Sequence, residues 1–528
     1  MVAHWVPALS RAKLEQGGRA VVRLDGKQIA LFLTAEGIFA CNNRCPHEGY
    51  PLREGSLDEQ CRLTCNWHNW KFDLKTGANE FGLGERLRVY PVELRGDEIW
   101  LDVADPPFEE RRAELMGNLQ DAFFDNDYER MAREIARLRL LGADPIDAVR
   151  AAIDWSWNRF EFGWTHAFAG AADWLTLYDR RQGDDETQLV SLVEIVGHIA
   201  DDILREPVYP YSDAETAWDE REFLASVDAE NENAAISYLN GGLSAGLRWP
   251  DLERAFTTAA LAHYNGFGHS LIYVTKAARL IERLGPSVMG PLLRSLVREF
   301  VYTTREEYLP EFRSYKTALA QWGRGGNGKR LGGGDLAGLN AAKAMALLSL
   351  HGSEPSAGLY EAVLGASAHA LLHFDLGVMN RTDGPIADNA SWLDVTHGIT
   401  FSNAVRIACT KFPELWPQGL LQVALQAGRN AGFLDPSVEA EDWAVRDTEG
   451  FFADAVDGLF DHAREEFIVS VHLLKTTLAA HEEMVSGTPG ALGEVMLAGL
   501  NRFLHSPLKF KHARRVAHQA MQFVALDG

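Results

Sequence analysis

The segments CPHEGYPL (residues 45–52) and CNWHNWKFDLKTG (residues 65–77) each contain a cysteine and a histidine close together. One residue separates the two in the first segment, and two residues separate them in the second. Each pair can supply one thiolate and one imidazole from a tight loop, and a structural zinc site could use the same four ligands. The proline, glycine and aromatic residues that follow each pair favour a different metal centre.

The flanking sequence has the periodicity of β-strands. Residues 29–33 alternate between apolar and other side chains, and Gly96-Asp97 separates two apolar runs, which is typical of a tight β-hairpin. Asp105-Pro106-Pro107 then interrupts any regular element. We therefore predict a small all-β domain over residues 1–107.

Beyond this point the apolar residues recur every three or four positions, as they do at Met131, Ile135 and Leu138. That spacing is typical of amphipathic helices, and little strand pattern follows residue 110. We predict that residues 108–528 form a large all-α, histidine-rich catalytic domain, built as one multi-helix bundle or two sub-bundles.

With the hairpin LRVYPVELRGDEIWL (residues 87–101), the two segments resemble the Rieske iron–sulfur domain over residues 1–104. The resemblance implies a 2Fe–2S cluster in which both cysteines bind one iron and both histidines bind the other: Cys45 and Cys65, His47 and His68. Neutral imidazoles in place of two thiolates make such a cluster less negative and raise its potential to roughly −150 to +300 mV.

The two loops also indicate the type of Rieske centre. Respiratory Rieske proteins carry an extra cysteine in each loop and a hydroxyl that donates to a cluster sulfur. Here no such cysteine pair is present, and Asn69 replaces the hydroxyl. Because fewer hydrogen bonds to sulfur lower the potential, we expect the low-potential kind that is associated with oxygenases.

Fourteen of the seventeen histidines follow residue 110, and several have polar or aromatic neighbours. Helical spacing places His369 and His373 on one face, and likewise Asp394 and His397. Imidazoles and carboxylates from facing helices are how bundles hold non-heme iron. The candidate metal ligands of the helical part are His166, His198, His263, His269, His369, His373 and His397.

The helical part does not match the catalytic domain of ring-hydroxylating oxygenases. That domain is mixed α and β, and it carries an Asp shortly before a close His–His pair. His263 and His269 have a comparable spacing, but the acids that precede them, Asp251 and Glu253, lie too far back. We therefore do not expect that architecture.

A second resemblance concerns GFGHSLIYVTKAARLIERLG (residues 266–285) and DVTHGITFSNAVRIA (residues 394–408). Both segments are similar to the questin oxidase-like helical proteins, a family that contains oxygenases acting on aromatic polyketides. This resemblance favours oxygenase chemistry in the helical part.

Composition excludes several other classes of protein. The 528 residues include 51 Lys and Arg against 74 Asp and Glu, a net charge of −23. This excess of acid argues against binding to nucleic acid or anionic membranes, because both need basic surface. No apolar run reaches the roughly 18 residues of a membrane span, and we find no secretory signal. Five cysteines exclude a disulfide scaffold, so we expect a cytoplasmic protein.

The resulting hypothesis is a Rieske-fused non-heme iron oxygenase. The cluster would relay electrons from an external NAD(P)H-dependent reductase or a ferredoxin, since the chain shows no dinucleotide fingerprint. A mono- or dinuclear iron in the helical part would use O2 to oxidise an apolar or aromatic small molecule, and a homo-oligomer is compatible with this scheme. The alternatives are an electron-transfer or redox-sensing protein with a non-catalytic helical scaffold, and a hydrolase with a regulatory cluster.

Overall fold

The computed structural model describes residues 3–80, 85–325, 330–488, 490–508 and 512–526. The chain divides into two compact units, Met1–Ala148 and Val149–Gly528. The first unit contains all the strands and the second is helical, so the predicted fold class, a small β domain followed by a large all-α region, is confirmed. The unit boundary falls at Ala148, beyond two helices that follow the strands, and a division at residue 107 stays a prediction.

Ten short strands make three antiparallel sheets in the first unit, with the orders β1-β10-β9, β2-β3-β4-β8 and β5-β6-β7. The predicted hairpin at Gly96-Asp97 is confirmed, because Arg95 pairs with Glu98 across it. The strands are β1 (Trp5–Ser10), β2 (Arg19–Leu24), β3 (Lys27–Thr34), β4 (Gly37–Asn42), β5 (Ser56–Leu57), β6 (Arg62–Thr64), β7 (Lys71–Asp73), β8 (Val89–Tyr90), β9 (Val92–Arg95) and β10 (Glu98–Asp102).

Strand β3 connects two hydrophobic cores, because it is buried on both faces. Ile29 and Leu31 point into one core. Ala30 and Phe32 point into the other, which also contains Cys45. Successive side chains of a strand point to opposite faces, so one strand can serve both cores. The second core therefore anchors the loops that carry the Cys–His pairs.

Three helices complete the first unit: α1 (Arg11–Gly17), α2 (Phe108–Phe124) and α3 (Tyr128–Leu141). The Asp127 carboxylate caps the start of α3 by accepting from the Arg130 backbone N–H, 3.0 Å away. Gly142 follows the last residue with a φ of 85°, a left-handed conformation that ends helices and that glycine adopts without strain.

The second unit is built from α-helices, with short 3-10 turns between some of them. Its described residues contain no strand beyond two isolated bridges. Counting from α4, which crosses the unit boundary, the helices are α4 (Asp147–Ser156), α5 (His166–Arg180), α6 (Asp185–Asp202), α7 (Glu220–Asp228), α8 (Glu232–Ser244), α9 (Trp249–Ala262), α10 (His269–Leu284), α11 (Met289–Tyr302), α12 (Tyr315–Ala320), α13 (Gly333–Leu336), α14 (Ala341–Leu350), α15 (Ser356–Leu372), α16 (Leu376–Asn380), α17 (Trp392–Lys411), α18 (Trp416–Asn430), α19 (Thr448–Phe460), α20 (Phe467–Val485), α21 (Gly490–His505) and α22 (Ala513–Val524).

Local sequence signals set where the site-bearing helices begin. Thr165 caps α5, so that His166 is its first residue. At α17, the Ser391 hydroxyl and the Asp394 carboxylate form a capping box. Among the described residues, no helix combines the length and apolar character needed to cross a bilayer.

Arg502 satisfies the carbonyl groups at the end of α15. Its Nη1 donates to the carbonyl oxygens of Leu372, at 2.7 Å, and Phe374, at 2.8 Å. The residue is only 5% exposed, and the guanidinium lies over the Trp392 ring. Helix ends leave orphan carbonyls, which here are served by a side chain from α21 instead of water.

We expect Arg502→Met to lower the free energy of unfolding by about 3 kcal/mol, because two charge-assisted hydrogen bonds are lost and two carbonyls are left buried. Urea unfolding followed by circular dichroism measures this. Arg446, whose side chain is 90% exposed, provides the control, and Arg446→Met should change stability by less than about 0.5 kcal/mol. Equal effects of the two substitutions would contradict the assigned role.

Candidate functional site: two metal centres

The first Cys–His loop joins β4 to β5 and closes on its own backbone. The Cys45 N–H donates to the Tyr50 carbonyl at 2.9 Å, and the Gly49 N–H donates back to the Cys45 carbonyl at 2.8 Å. Gly49 has a φ of 78°, which glycine adopts without strain. The tight turn holds the cysteine and the histidine on the same side of the loop.

The second loop joins β6 to β7 and repeats this geometry. The Cys65 N–H donates to the Trp70 carbonyl at 2.7 Å, and the Asn69 N–H donates to the Cys65 carbonyl at 2.9 Å. Asn69 has a φ of 62°, and asparagine is one of the few other residues found in this region. The sequence places glycine and asparagine where each turn needs a positive φ.

The four side chains converge, with sulfur inside and nitrogen outside. Cys45 and Cys65 are 3% and 1% exposed. The rings of His47 and His68 lie edge to face with centroids 4.7 Å apart, and their side chains are 21% and 37% exposed. The arrangement can hold a metal centre below the surface while the imidazole edges stay accessible to a partner.

Two tryptophans hold the imidazoles in place. Trp70 stacks on His47 at 4.6 Å and 11°, and Trp67 stacks on His68 at 4.9 Å and 23°. Trp67 is itself 57% exposed. An aromatic surface therefore borders the accessible side of the centre.

A second centre lies within the helical unit. We call it the histidine cluster; its members are His166, His269, His397 and His472. The Nε2 atom of His269 lies 3.2 Å from that of His166 and 2.7 Å from that of His397. The ring centroid of His472 lies 4.8 Å from that of His166 and 5.1 Å from that of His397. Four helices, α5, α10, α17 and α20, each contribute one imidazole.

An unusual turn positions His269 as the first residue of α10. Gly266, Phe267 and Gly268 all have positive φ, at 45°, 57° and 85°. A Cβ at position 268 would lie 2.3 Å from the Phe401 ring, so only glycine fits there. The turn therefore needs both a left-handed backbone and the absence of a side chain.

Backbone carbonyls orient two members of the cluster. His397 Nδ1 donates to the Leu393 carbonyl, and His472 Nδ1 donates to the Ile468 carbonyl at 2.6 Å. This fixes the hydrogen on Nδ1, so that Nε2 is the nitrogen with the lone pair that a metal can bind. His472 Nε2 is buried and has no hydrogen-bond partner among the described residues.

The surroundings favour neutral nitrogen donors. Burial is the main cause of a lowered pKa at all four histidines, and it lowers that of His269 to about 3. Lys475 Nζ lies 3.0 Å from His397 Nε2, and burial together with Lys276 holds the pKa of Lys475 well below its usual value. Without an ion the site therefore contains several neutral lone pairs and little positive charge.

The donor geometry and chemistry of the histidine cluster are compatible with a transition metal. The available nitrogens of His166, His269 and His397 lie within 4.8 Å of one another. Within the described part of the helical unit, this is the only such group of potential ligands. Imidazole suits iron, zinc, copper and nickel, so the ligand type is compatible with non-heme iron without being unique to it.

Comparison with known proteins identifies the N-terminal unit. A family model described as the Rieske [2Fe-2S] domain matches residues 4–91. The 3-phenylpropionate/cinnamic acid dioxygenase ferredoxin subunit of Shigella boydii serotype 4 is 35% identical over 78 residues, which cover 15% of this chain and 74% of that relative. The chain belongs to the Rieske [2Fe-2S] family. The resemblance noted in the two loop segments is thereby confirmed.

Other Rieske proteins match over a similar length. The 4beta-methylsterol monooxygenase of Methylococcus capsulatus is 40% identical over 96 residues, 16% of this chain and 26% of that relative. The ferredoxin of carbazole 1,9a-dioxygenase from Nocardioides aromaticivorans IC177 is 24% identical and covers 19% of this chain and 97% of its own, with a TM-score of 0.18. The match thus spans about a quarter of the monooxygenase.

The Rieske loops fit an iron–sulfur cluster chemically. His47 Nδ1 is buried and has no hydrogen-bond partner within the described part of the chain. Burial raises the pKa of the Cys45 thiol to about 12, so the thiol keeps its proton unless a cation stabilises the thiolate. A bound metal would give His47 Nδ1 a partner and would stabilise the Cys45 thiolate.

The other predicted ligands of the helical unit lie apart from the histidine cluster. His198 Nε2 lies 3.7 Å from Asp202, and its ring stacks on Phe467. His263 lies between the carboxylates of Asp228 and Glu307. Their neighbours make these two histidines members of separate polar pairs.

His369 and His373 share a face of α15, as the spacing predicted, and their rings stack at 4.2 Å. His373 Nδ1 lies 3.2 Å from the Asp435 carbonyl. The structure brings together three of the seven predicted residues: His166, His269 and His397. Their assignment as iron ligands stays a prediction.

Sequence reasoning missed His472 and Lys475. Both lie on α20, three residues apart and therefore on one face. They are 1% and 3% exposed, although lysine is almost never fully buried unless it is paired. The sequence did contain one signal for these residues, which is that a lysine and a histidine share one face of a strongly apolar helix.

A buried carboxyl group supports the residue next to His269. The Ser270 hydroxyl donates to Glu299 Oε1 at 3.0 Å. Burial raises the pKa of Glu299 to about 8. The side chain is therefore a neutral acid near pH 7, which avoids an unpaired charge in the interior.

We expect Cys65→Ala to abolish the cluster, because one iron loses a thiolate. The purified variant should lack visible absorbance and the rhombic EPR signal of the dithionite-reduced protein. Cys41→Ala is the matched control, since Cys41 is equally buried but lies in β4, outside both loops. Retention of the EPR signal in Cys65→Ala would exclude this residue as a ligand.

Glu299 should make stability depend on pH. Its pKa is about 8 in the folded protein against an ordinary 4.5, so between these values only the unfolded state loses its proton. Stability should fall by up to about 1.4 kcal/mol per pH unit over this window, and Glu299→Gln should remove that slope. Urea unfolding at pH 5 and pH 7.5 measures it, with the exposed Glu282→Gln as control. An unchanged slope in Glu299→Gln would refute the assignment.

Proposed function

We propose that the chain is a non-heme iron oxygenase, in which a Rieske cluster supplies electrons to iron held by the histidine cluster. One observation carries the proposal: the nitrogens of three imidazoles from three helices lie within 4.8 Å of one another, with His472 packed beside them, in a chain that also contains a Rieske domain. A scaffold has no need to place so many neutral nitrogens together in its interior.

The residues that would hold the iron are His166, His269, His397 and His472. Iron with imidazole ligands supplies O2 activation when electrons reach it. The Leu393 and Ile468 carbonyls keep the protons of two ligands on Nδ1. With the protons there, the Nε2 atoms of both histidines would be available as ligands.

The protein around the site would exclude water on one side and admit reactants on the other. His397 and His472 are 4% and 1% exposed, whereas His166 and His269 are partly exposed. Tyr273, which is buried, stacks on His269 at 5.4 Å and supplies an aromatic surface beside it. We propose that O2 and an apolar or aromatic small molecule approach from the side of His166 and His269.

Lys475 supplies a further nitrogen beside the ion. Its amine is 3.0 Å from His397 Nε2, and burial favours its neutral form. A neutral amine has a lone pair that can bind a metal or accept a proton. Lys475 would therefore tolerate a cation next to it, which an ammonium group would repel.

Electrons would come from a separate protein of the cytoplasm, an NAD(P)H-dependent reductase or a ferredoxin. The relatives that match the Rieske unit are named as ferredoxin subunits and as oxygenases, which work with such donors. The accessible edges of His47 and His68 are where a donor can approach the cluster. A homo-oligomer is compatible with the same scheme.

The second candidate is an electron-transfer or redox-sensing protein with a helical scaffold. It is favoured by the extent of the matches, since the Rieske unit corresponds to most of a small ferredoxin subunit. On this alternative the histidine cluster binds no iron, and the chain contains only the two irons of the cluster.

Iron analysis with EPR distinguishes the two functions. We expect more than two irons per chain in the wild type, and only two in His397→Ala, with the Rieske signal unchanged. His369→Ala is the control, because His369 lies on α15 away from the cluster and should keep the wild-type iron content. Two irons in every variant would favour the electron-transfer alternative.

Oxygen uptake completes the test. Chemically reduced wild type should consume O2 faster than His397→Ala, which keeps the 2Fe–2S cluster but should lack the iron of the helical unit. Equal rates in the two proteins, together with equal iron content, would overturn the proposal.

A further inference from the structure

Helix α3 brings charged side chains to the first Rieske loop. It covers Tyr128–Leu141 and lies outside the matched Rieske segment, residues 4–91, but inside the same compact unit. Arg130, Glu134 and Arg137 are spaced four and three residues apart, so they share one face of the helix. This face is therefore an addition to the Rieske domain itself.

Arg137 is the residue of this face that contacts the loop. Its Nη2 donates to the Pro46 carbonyl at 3.1 Å. Its Nη1 donates to Glu85 at 3.2 Å and also to Glu134. The two carboxylates are 1% and 0% exposed. The guanidinium of Arg137 has little freedom to move, because it contacts two buried carboxylates and the loop carbonyl.

The Pro46 carbonyl belongs to the same peptide group as the His47 N–H. Burial raises the pKa of the Cys45 thiol, and the adjacent His47 N–H partly offsets this by stabilising the thiolate. One planar peptide therefore has a positive guanidinium at its oxygen and a cluster-binding sulfur at its hydrogen. Chains of hydrogen bonds polarise one another, so the guanidinium strengthens the bond to sulfur.

The electronic consequence has a definite sign. Reduction adds one negative charge to the cluster, and hydrogen bonds to sulfur are among the features that set the potential. A positive charge that acts through the peptide stabilises the reduced state more than the oxidised state. Asn69 stands where respiratory Rieske proteins carry the hydroxyl that donates to a cluster sulfur, so the second loop lacks that hydrogen bond. A stronger hydrogen bond to sulfur in the first loop would offset the resulting loss of potential.

We propose that Arg137 is a positioning residue that raises the reduction potential of the Rieske cluster by polarising the Pro46–His47 peptide toward the Cys45 sulfur. The function concerned is the readiness of the cluster to accept an electron from its donor. The inference depends on the cluster and is independent of any iron in the helical unit.

An EPR-monitored redox titration of the full-length protein at pH 8 tests the proposal. In Arg137→Met, the ratio of reduced to oxidised cluster at a fixed potential should fall about tenfold, which is 59 mV for a one-electron couple. Arg137→Lys keeps the charge and should recover part of the loss. Arg139→Met is the control, since two residues further along the helix correspond to a rotation of about 200°.

Glu134→Gln adds a test with the opposite sign. Burial raises the pKa of Glu134 to about 7, so at pH 8 most of the group is ionised and opposes the charge of Arg137. Neutralising it should raise the reduced-to-oxidised ratio. A residue that merely held the loop in place would give no such reversal of sign.

The outcomes are distinct. The proposal is supported if the ratio of reduced to oxidised cluster falls in Arg137→Met and rises in Glu134→Gln. Unchanged ratios in both variants, or a fall in both, would overturn it. If Arg137→Met loses the cluster, the comparison of Arg137→Lys, Glu134→Gln and wild type decides, and a ratio in Glu134→Gln at or below the wild type would refute the proposed role.

Discussion

A buried lone pair without a hydrogen-bond donor is costly, and both centres of this protein contain one. His47 Nδ1 lies below the Rieske loops, and His472 Nε2 lies within the helical unit. A polar atom removed from water loses free energy unless a partner replaces the water. A metal ion is such a partner for nitrogen and sulfur, and the folds around both centres exclude most alternatives. Among the described residues, each of the two sites therefore contains a nitrogen for which a bound metal would be a suitable partner.

The two centres meet this requirement in different ways. In the Rieske unit, short loops close on themselves, and Gly49 and Asn69 allow the positive φ that each turn needs. In the helical unit, the turn before His269 and the carbonyls four residues before His397 and His472 orient the rings. The loops leave the imidazoles of His47 and His68 partly exposed, whereas His397 and His472 are buried among the helices. Such a division suits a carrier of single electrons and a site that uses them.

The two sites differ in the charge of the basic side chain that lies nearest to each. Lys475 beside the histidine cluster is held toward its neutral form by burial, so that it does not oppose a cation. At the Rieske loops the opposite holds, because Arg137 keeps its charge and points it at a backbone carbonyl. A nearby positive charge stabilises an electron-rich cluster, but it would weaken the binding of an adjacent metal ion. A basic side chain therefore lies near each site, but burial favours the neutral amine of Lys475, whereas the guanidinium of Arg137 acts as a cation.

The amino-acid sequence alone identified the Rieske domain, because all four predicted ligands lie within 24 consecutive residues whose turns are set by local glycine, asparagine and proline. It also determined the strand-to-helix division, since periods of two and of three to four are visible in the side-chain pattern. The histidine cluster was decided by tertiary structure. Helical spacing relates residues on one helix, as it did for His369 and His373, but it cannot say which faces of separate helices meet. Sequence spacing therefore did not reveal that His472 packs beside His166 and His397 or that His263 lies between two carboxylates, because only packing brings separate helices together.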